Sequence, residues 1–504
     1  MPLCGYARLV ELLGLPVPPP RFQVESSHAV NRRVLRGDRL LVPVRAAPEG
    51  SSLLDHILFA LKNEGVNLAV LSGALPHVES DDLQQRIDAA PMSTALRKAA
   101  FLWEYFTHGS LRLKRPPKTF IPLFDPERYI TGRSMRNEKW RINVNGIGSL
   151  AYCPTVEKTE LINQYLATDL LKRTNLWFAS IGAIAADRAL DWAYLNETRG
   201  IYELEREPLS EDRSRRFVQL LQHADDEQIL SENYLCELQN QVVSSIFNHA
   251  YSWRTEQNWL SKQSGRNALS VTYVPPSPDD LGSLMHDYLA MVNSWEDDLD
   301  PLVGAAVAAF GFVYLRPFMD GNGRLSRFLI HRQLARSGRL AHGLLLPISI
   351  AMKASEEEYL AALTAFSAQA RRLWDVTYCG GEPPYDFHFK GTSNLYRYWD
   401  ATRQVEFTFR MAERALTVHL REEIEYLRLF DEVCRRVEAH FDLRQNHLFT
   451  LVNAALERNG RLSKSIRRRF ADKVEGAALD FVESVTREVL EEAAEEAGEA
   501  AAAP

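Results

Sequence analysis

The 504-residue sequence predicts a mainly α-helical protein with one β-hairpin, flanked by helical N- and C-terminal regions. Three observations carry that expectation. Apolar residues recur at helical spacing over 55–71, over 93–107 and through most of the chain after 157. Pro, Gly and Asn gather chiefly over 110–160. Within the helical half, only the stretch YSWRTEQNWLSKQSGRNALSVTYVPP breaks the pattern.

The elements follow in order. Residues 1–50 combine a short helical pattern, the PVPPP linker and the strand-like RLLVPVR. Gly65 interrupts DHILFALKNEGVNLAVL, so helix, turn and helix are expected over 55–71. Ser93 stands as an N-cap before the amphipathic run that ends at Thr107, and residues 110–160 read as extended loops. Pro208 precedes a new helix in LSEDRSRRFVQLL, and another is expected over 231–250. Two aromatic or β-branched runs, Ser252–Leu260 and Ala268–Val274, flank Ser264-Gly265-Arg266-Asn267 and predict a hairpin. A lone hairpin is marginal by itself, so this one must pack on something. Helices are then expected over 279–294, 301–315, 324–337, 355–372, 392–417 and 420–440, and the acidic, alanine-rich tail reads as a fraying helix end.

The composition is that of a globular protein, 46% hydrophobic and 25% charged, with a net charge of -7. Bulk electrostatics therefore exclude a general polyanion binder, and nucleic-acid contact must be local. The five cysteines are scattered without a close pair, which argues against a disulfide framework or zinc cluster. The N-terminus lacks the long apolar region of a secretory signal. The longest apolar run, Leu302–Leu315, falls short of the roughly 20 residues of a membrane span. A cytoplasmic protein without membrane contact is the expectation.

The chemistry concentrates in LRPFMDGNGRLSR, residues 315–327. Pro317 disfavours a helical Arg316 and forces a turn after the apolar helix. Gly321 and Gly323 allow backbone conformations in which successive N–H groups converge into an anion-binding nest. The next helix adds its positive N-terminal end. Asp320 at the lip would repel phosphate unless a hard cation such as Mg²⁺ intervened. Asn322 can add an amide, and Arg324 and Arg327, three apart, can turn guanidinium forks to the same anion. Phe318 is expected to anchor the loop. These residues together describe a triphosphate site.

The run Pro317-Phe318-x-Asp320-Gly321-Asn322-Gly323-Arg324-x-x-Arg327 resembles the Fic (Fido) signature H-P-F-x-[D/E]-G-N-G-R-x-x-R at every fixed position except the first. FALKNEGVNLAVL, AYCPTVEKTE, NLYRYWDAT and NGRLSKSIRRRF resemble segments of a long bacterial Fic subgroup, more weakly. The resemblance implies an ATP-binding protein adenylyltransferase, which moves AMP from ATP with Mg²⁺ onto a Ser, Thr or Tyr hydroxyl. It makes Asp320 the metal carboxylate, Asn322 and the amides of Gly321 and Gly323 the α/β-phosphate cradle, Arg324 a phosphate clamp and Arg327 the γ-phosphate contact. It makes 252–274 a flap that docks a target protein by strand addition. The implied organisation is an N-terminal, mostly helical region over 1–185, a Fic domain over 186–375 and a helical, helix-turn-helix-like region over 376–504.

The departure is Arg316, which stands where the family has its base histidine. A guanidinium has no lone pair to accept a proton at neutral pH. Loss of a general base costs about 10² to 10⁴ in rate, so transfer is expected to be weakened or absent. His249, His286 and His331 are expected outside the nest. The alternative is a non-catalytic, nucleotide-gated module that binds a protein or DNA. The family's inhibitory motif, [S/T]-x-x-x-E-[G/N], pairs its glutamate with the last motif arginine. Aligning YELEREP with that motif makes Glu203 the inhibitory candidate, although Arg199 stands where Ser or Thr is expected and Leu204 where Gly or Asn is. SMRNEK, with Ser134 and Glu138, is the other candidate. The basic run RNGRLSKSIRRRF over 458–470 could meet DNA phosphates.

Overall fold

The computed structural model describes residues 2–48, 52–243, 245–262, 268–295, 299–381 and 383–502. Helices dominate, as expected, and the chain divides into two compact units. The first holds residues 1–175 and 194–413; the second holds 176–193 and 414–504. Packing thus groups most of the expected segments 1–185 and 186–375 into the first unit.

The first unit opens with a four-stranded sheet whose members Leu3–Cys4, Gln23–Ser27, Arg39–Pro43 and Val34–Arg36 lie in that order. Only Arg39–Pro43 was legible, because the other strands are short and carry no clear alternation. Helices Leu53–Asn63 and Leu68–Ala74 bracket Gly65, whose φ of 93° belongs to a turn that glycine favours. Ser93 caps Thr94–Thr107 by accepting the Leu96 N–H. Leu54, Ile57, Leu71, Leu102 and Trp140 close one apolar core. The expected loops over 110–160 contain a small three-stranded sheet, Ile121–Pro122, Ile142–Val144 and Met135–Asn137.

The helix expected over 231–250 stops at Val242, and a 3₁₀ turn covers Ile246–Asn248. The flap hairpin is also shorter than expected. Among the described residues Leu260–Ser261 pairs with Val271–Tyr273 and the Lys262 N–H donates to Ser270 O; the turn Ser264-Gly265-Arg266-Asn267 lies outside the described residues. Residues 252–259 form an irregular strap because their backbone groups bond elsewhere: the Arg254 N–H donates to Pro317 O at 2.8 Å. The partner that a lone hairpin requires is a second one. Trp374–Tyr378 pairs with Tyr385–Phe389, and their aromatic face packs with Trp259, Val271 and Val274. That second hairpin was missed, although Trp374-Asp375-Val376-Thr377-Tyr378 and Tyr385-Asp386-Phe387-His388-Phe389 alternate apolar and polar residues and carried the signal.

The second unit is a helical bundle. Leu420–Glu438, Gln445–Leu456, Lys464–Phe470 and Gly476–Ala502 bury Val433, Leu451, Phe470, Val482 and Val485. The last helix does not simply fray, because Glu492 and Glu496 pair with Arg436 and Arg428. Within the basic run, Arg467 is held by Asp480 and Glu483. Among the described residues no helix is long and apolar enough to cross a membrane.

Candidate functional site

Helix Pro301–Leu315 is buried along almost its whole length, which fixes the point where the chain must turn. Asp300 caps its start by accepting the Leu302 N–H. Arg316 ends it in the left-handed conformation, φ 44° and ψ 64°, as expected for a residue barred from continuing the helix by Pro317. Gly321 has φ 86°, a conformation strained for any residue with a Cβ. Helix Asn322–Arg336 then begins, and its first N–H groups lack intrahelical partners.

The loop between these helices is held from inside. Asn322, 2% exposed, accepts the Phe318 N–H through Oδ1 at 3.0 Å and donates Nδ2 to Phe318 O at 2.7 Å. Its side chain is therefore committed to the loop, which corrects the expectation that this amide adds a phosphate contact. What Asn322 offers an anion is its position in the first helical turn. Phe318 anchors the loop as expected, 1% exposed and packed against Trp253. From the strap, Arg254 donates to the carbonyls of Arg316, Glu256 and Pro276, and Asn258 donates to Phe318 O. Gln239 donates to Asp320 O. Burial lowers the Arg254 pKa to about 10, with the neighbouring Arg316 adding to the shift. These supports were missed because a carbonyl-binding arginine leaves no mark on sequence spacing.

Arg324 and Arg327 are each 1% exposed, and buried guanidinium groups need partners. Arg324 donates to Glu207 at 2.8 Å, to Val242 O at 2.7 Å and to Asp320 at 3.0 Å. Arg327 donates to the Tyr359 hydroxyl at 3.0 Å and ion-pairs with Glu205. The Glu205 carboxylate lies directly against Gly323, where a Cβ would collide with it. Asp320 also accepts its neighbour's N–H at Gly321, and the Asn248 amide.

Glu203, the expected inhibitory residue, is exposed and its carboxylate does not meet Arg327. The glutamate on Arg327 is Glu205. Helix Ala183–Leu204 ends at Leu204, and the turn after it carries the chain toward the motif. Glu138 of the other candidate pairs with Arg141. His331 lies on the motif helix but bonds Glu197, as expected for a histidine outside the nest.

Arg316 is half-buried beside Asp320, and burial pushes its pKa down from the ordinary value against the opposing charges of Tyr273 and Asp320. Its Nε has no hydrogen-bond partner among the described residues, and the same holds for Nε of Arg324 and of Arg327. Three orphaned guanidinium donors on one short loop and helix start are unusual, because buried polar groups are normally paired.

The sequence model of the Fic/DOC family matches residues 229–334, which contain the strap, the flap, both helices and the loop between them. The chain carries a Fic/DOC domain. The Fic/DOC segment is similar to "Protein adenylyltransferase Fic" of Drosophila willistoni, 43% identical over 67 residues that make up 13% of this chain and 14% of that protein. The protein of the same name from Aedes aegypti is 43% identical over 67 residues, 13% of each chain. The match thus spans about one seventh of the length of these curated relatives. Among solved structures, a Fic family protein from Desulfovibrio desulfuricans G20 aligns with TM-score 0.40 and 18% identity, covering 64% of this chain and 89% of that one. Fic-1 of C. elegans aligns with TM-score 0.30 and 15% identity, covering 72% and 98%.

Proposed function

We propose that this chain is an ATP-binding Fic protein held closed by two of its own glutamates, with AMP transfer weakened or absent because Arg316 replaces the base. The observation that carries the reading is the carboxylate of Glu205, seated on Arg327 and against Gly323. It stands in for an anion in a nest of backbone N–H groups and guanidinium forks, so the residues present fit a nucleotide's phosphates.

Gly321, Gly323 and the helix start would receive the α/β-phosphates, Arg324 would clamp them, and Arg327 would take the γ-phosphate after Glu205 withdraws. Asp320 would hold Mg²⁺ together with phosphate oxygens; among the described residues no group of three metal-ligating side chains gathers elsewhere. The bound nucleotide would supply an activated phosphoryl group. This chain's residues would orient it, but Arg316 cannot take a hydroxyl proton from a target docked at the flap, 252–274.

A second reading is favoured by Arg316 itself. In a site without a base, occupancy could serve as the signal, with nucleotide displacing Glu205 and Glu207 to gate binding of a protein partner. Contact with DNA through 458–470 belongs to the same reading, with Arg468 and Arg469 exposed and Arg467 already paired.

Calorimetry with ATP and Mg²⁺, followed by intact-mass measurement for added AMP, separates the two. Binding without a mass increase supports the gated module. A mass increase that grows at least tenfold in Arg316→His combined with Glu205→Gly supports the transferase. Absence of any ATP binding, in the natural chain and in Glu205→Gly alike, would remove both.

A further inference from the structure

Arg206 stands between the two glutamates that meet the motif arginines, and its backbone is left-handed, with φ 57°. It closes helix Ala183–Leu204. The Arg206 N–H donates to Glu203 O at 3.1 Å, and the Glu207 N–H reaches back to Tyr202 O at 3.0 Å. Two such bonds around a left-handed residue form a helix C-cap, a position that glycine usually fills because a Cβ is strained there. The Glu205 N–H bond to Ile201 O is long, 3.4 Å, so Glu205 depends on the cap bonds that follow it.

The cap decides where both carboxylates go. Glu205, just before the left-handed residue, pairs with Arg327, and Glu207, just after it, accepts from Arg324 at 2.8 Å. The Arg206 side chain is exposed, and its one partner among the described residues is Glu356 at 3.4 Å. Glu356 already holds Lys353 at 2.9 Å, and an exposed pair of this kind contributes little. The turn therefore owes its shape to the backbone of Arg206 and not to its charge. Upstream, the helix is seated: the fully buried Glu197 accepts the Ser349 N–H at 2.7 Å, and a Cβ on Gly200 would press on the backbone of Ser349 and Ile350. With the helix so fixed, Arg206 is where the course of 205–207 can change.

We propose that Arg206 is the positioning residue of the closed site: its left-handed turn seats Glu205 and Glu207 on their arginines together, and its departure from that conformation withdraws both. The inference rests on the reading that these two glutamates hold the site closed against a nucleotide's phosphates. A non-glycine residue in the left-handed region persists only while its surroundings enforce it, which makes this one position a natural release point.

The test is calorimetry with ATP and Mg²⁺ on the full-length protein, comparing two replacements that both remove the charge of Arg206. Arg206→Gly favours the left-handed turn and should bind ATP about two- to fivefold more weakly, because the open form becomes rarer. Arg206→Val, whose branched side chain resists that conformation, should bind about two- to tenfold more tightly. Arg206→Thr, branched but smaller, gives the same comparison should the valine variant fold poorly. In Glu205→Gln combined with Glu207→Gln, the glycine and valine variants should no longer differ from each other, since no carboxylate is left to withdraw. Equal shifts in the glycine and valine variants would trace the effect to the Glu356 pair and overturn the proposal. A lowered thermal midpoint in Arg206→Val with natural ATP affinity would make Arg206 a helix cap alone and overturn it too. If the double glutamate variant itself binds ATP no more tightly than the natural protein, the closed-site reading fails and this inference with it; a gain there without one in Arg206→Val sinks this inference alone.

Discussion

Glu205, the first residue beyond helix Ala183–Leu204, ion-pairs with Arg327 while its carboxylate covers Gly323. One side chain thus neutralises a cation that is 1% exposed and occupies the space in front of the helix start. A phosphate approaching the same arginine must first displace it. The pair is therefore a stability element and, on the proposed reading, an obstacle to an anionic ligand.

Glu205→Gln should lower the thermal midpoint of the nucleotide-free protein, because the buried Arg327 loses its partly exposed counter-charge at a cost of about 1–3 kcal/mol. The same variant should bind ATP with Mg²⁺ at least tenfold more tightly by calorimetry. Glu203→Gln should change neither. If the two variants behave alike, the displacement argument is wrong.

Glu207→Gln should have a smaller effect on ATP affinity, about two- to threefold. Arg324 keeps Asp320 and the Val242 carbonyl when Glu207 is neutralised. A double variant with Glu205→Gln would show whether the two glutamates act as independent locks; a departure from additive free energies is expected, since Arg324 and Arg327 lie one turn apart on the same helix and would share one phosphate chain.

Asn322→Ala removes both bonds to Phe318 and leaves its buried N–H without a partner, while Phe318 O keeps the Asn258 amide. A loss of about 2–4 kcal/mol in denaturant unfolding is expected. Asn322→Asp should be as damaging, because it keeps the acceptor and loses the donor. An unfolding free energy unchanged in Asn322→Ala would show that the loop is held by other contacts.

Glu64, far from the motif in sequence, has a pKa raised to about 8 by burial, with the Tyr6 N–H bond and Arg128 opposing. A carboxyl that keeps its proton when folded and loses it when unfolded makes stability fall as pH rises from about 4.5 to 8. The slope is bounded by about 1.4 kcal/mol per pH unit. Glu64→Gln, which can still accept the Tyr6 N–H, should flatten this decline and be more stable than the natural protein at pH 8. Parallel thermal midpoints for both proteins between pH 5 and 8 would refute it.

The helices, the Ser93 cap, the turn at Gly65 and the left-handed Gly321 were readable because each depends on residues within a few positions of one another, whereas Gly323 proved to be an ordinary helical residue. Pro317 acts on Arg316, and Gly321 acts on its own backbone. The strand Leu3–Cys4 escaped because it has two residues and its partner lies about twenty residues on, whereas the hairpin Trp374–Tyr378 with Tyr385–Phe389 is local and its alternation was overlooked. Sequence spacing likewise could not show that Asn322 turns inward, or that Arg254 holds three carbonyls.

Taken by themselves, the residues specified a helical chain and the turn at 316–321 between two helices, with two arginines following it. Packing chose which carboxylate meets Arg327. Glu203 lies in the last turn of the helix and Glu205 just beyond its end, so two glutamates nearly indistinguishable as text are placed differently in space, and it is Glu205 that meets Arg327. The choice fell to the residue at which helix Ala183–Leu204 stops and to the burial of Arg327, a cation that must find a partner wherever the fold delivers one.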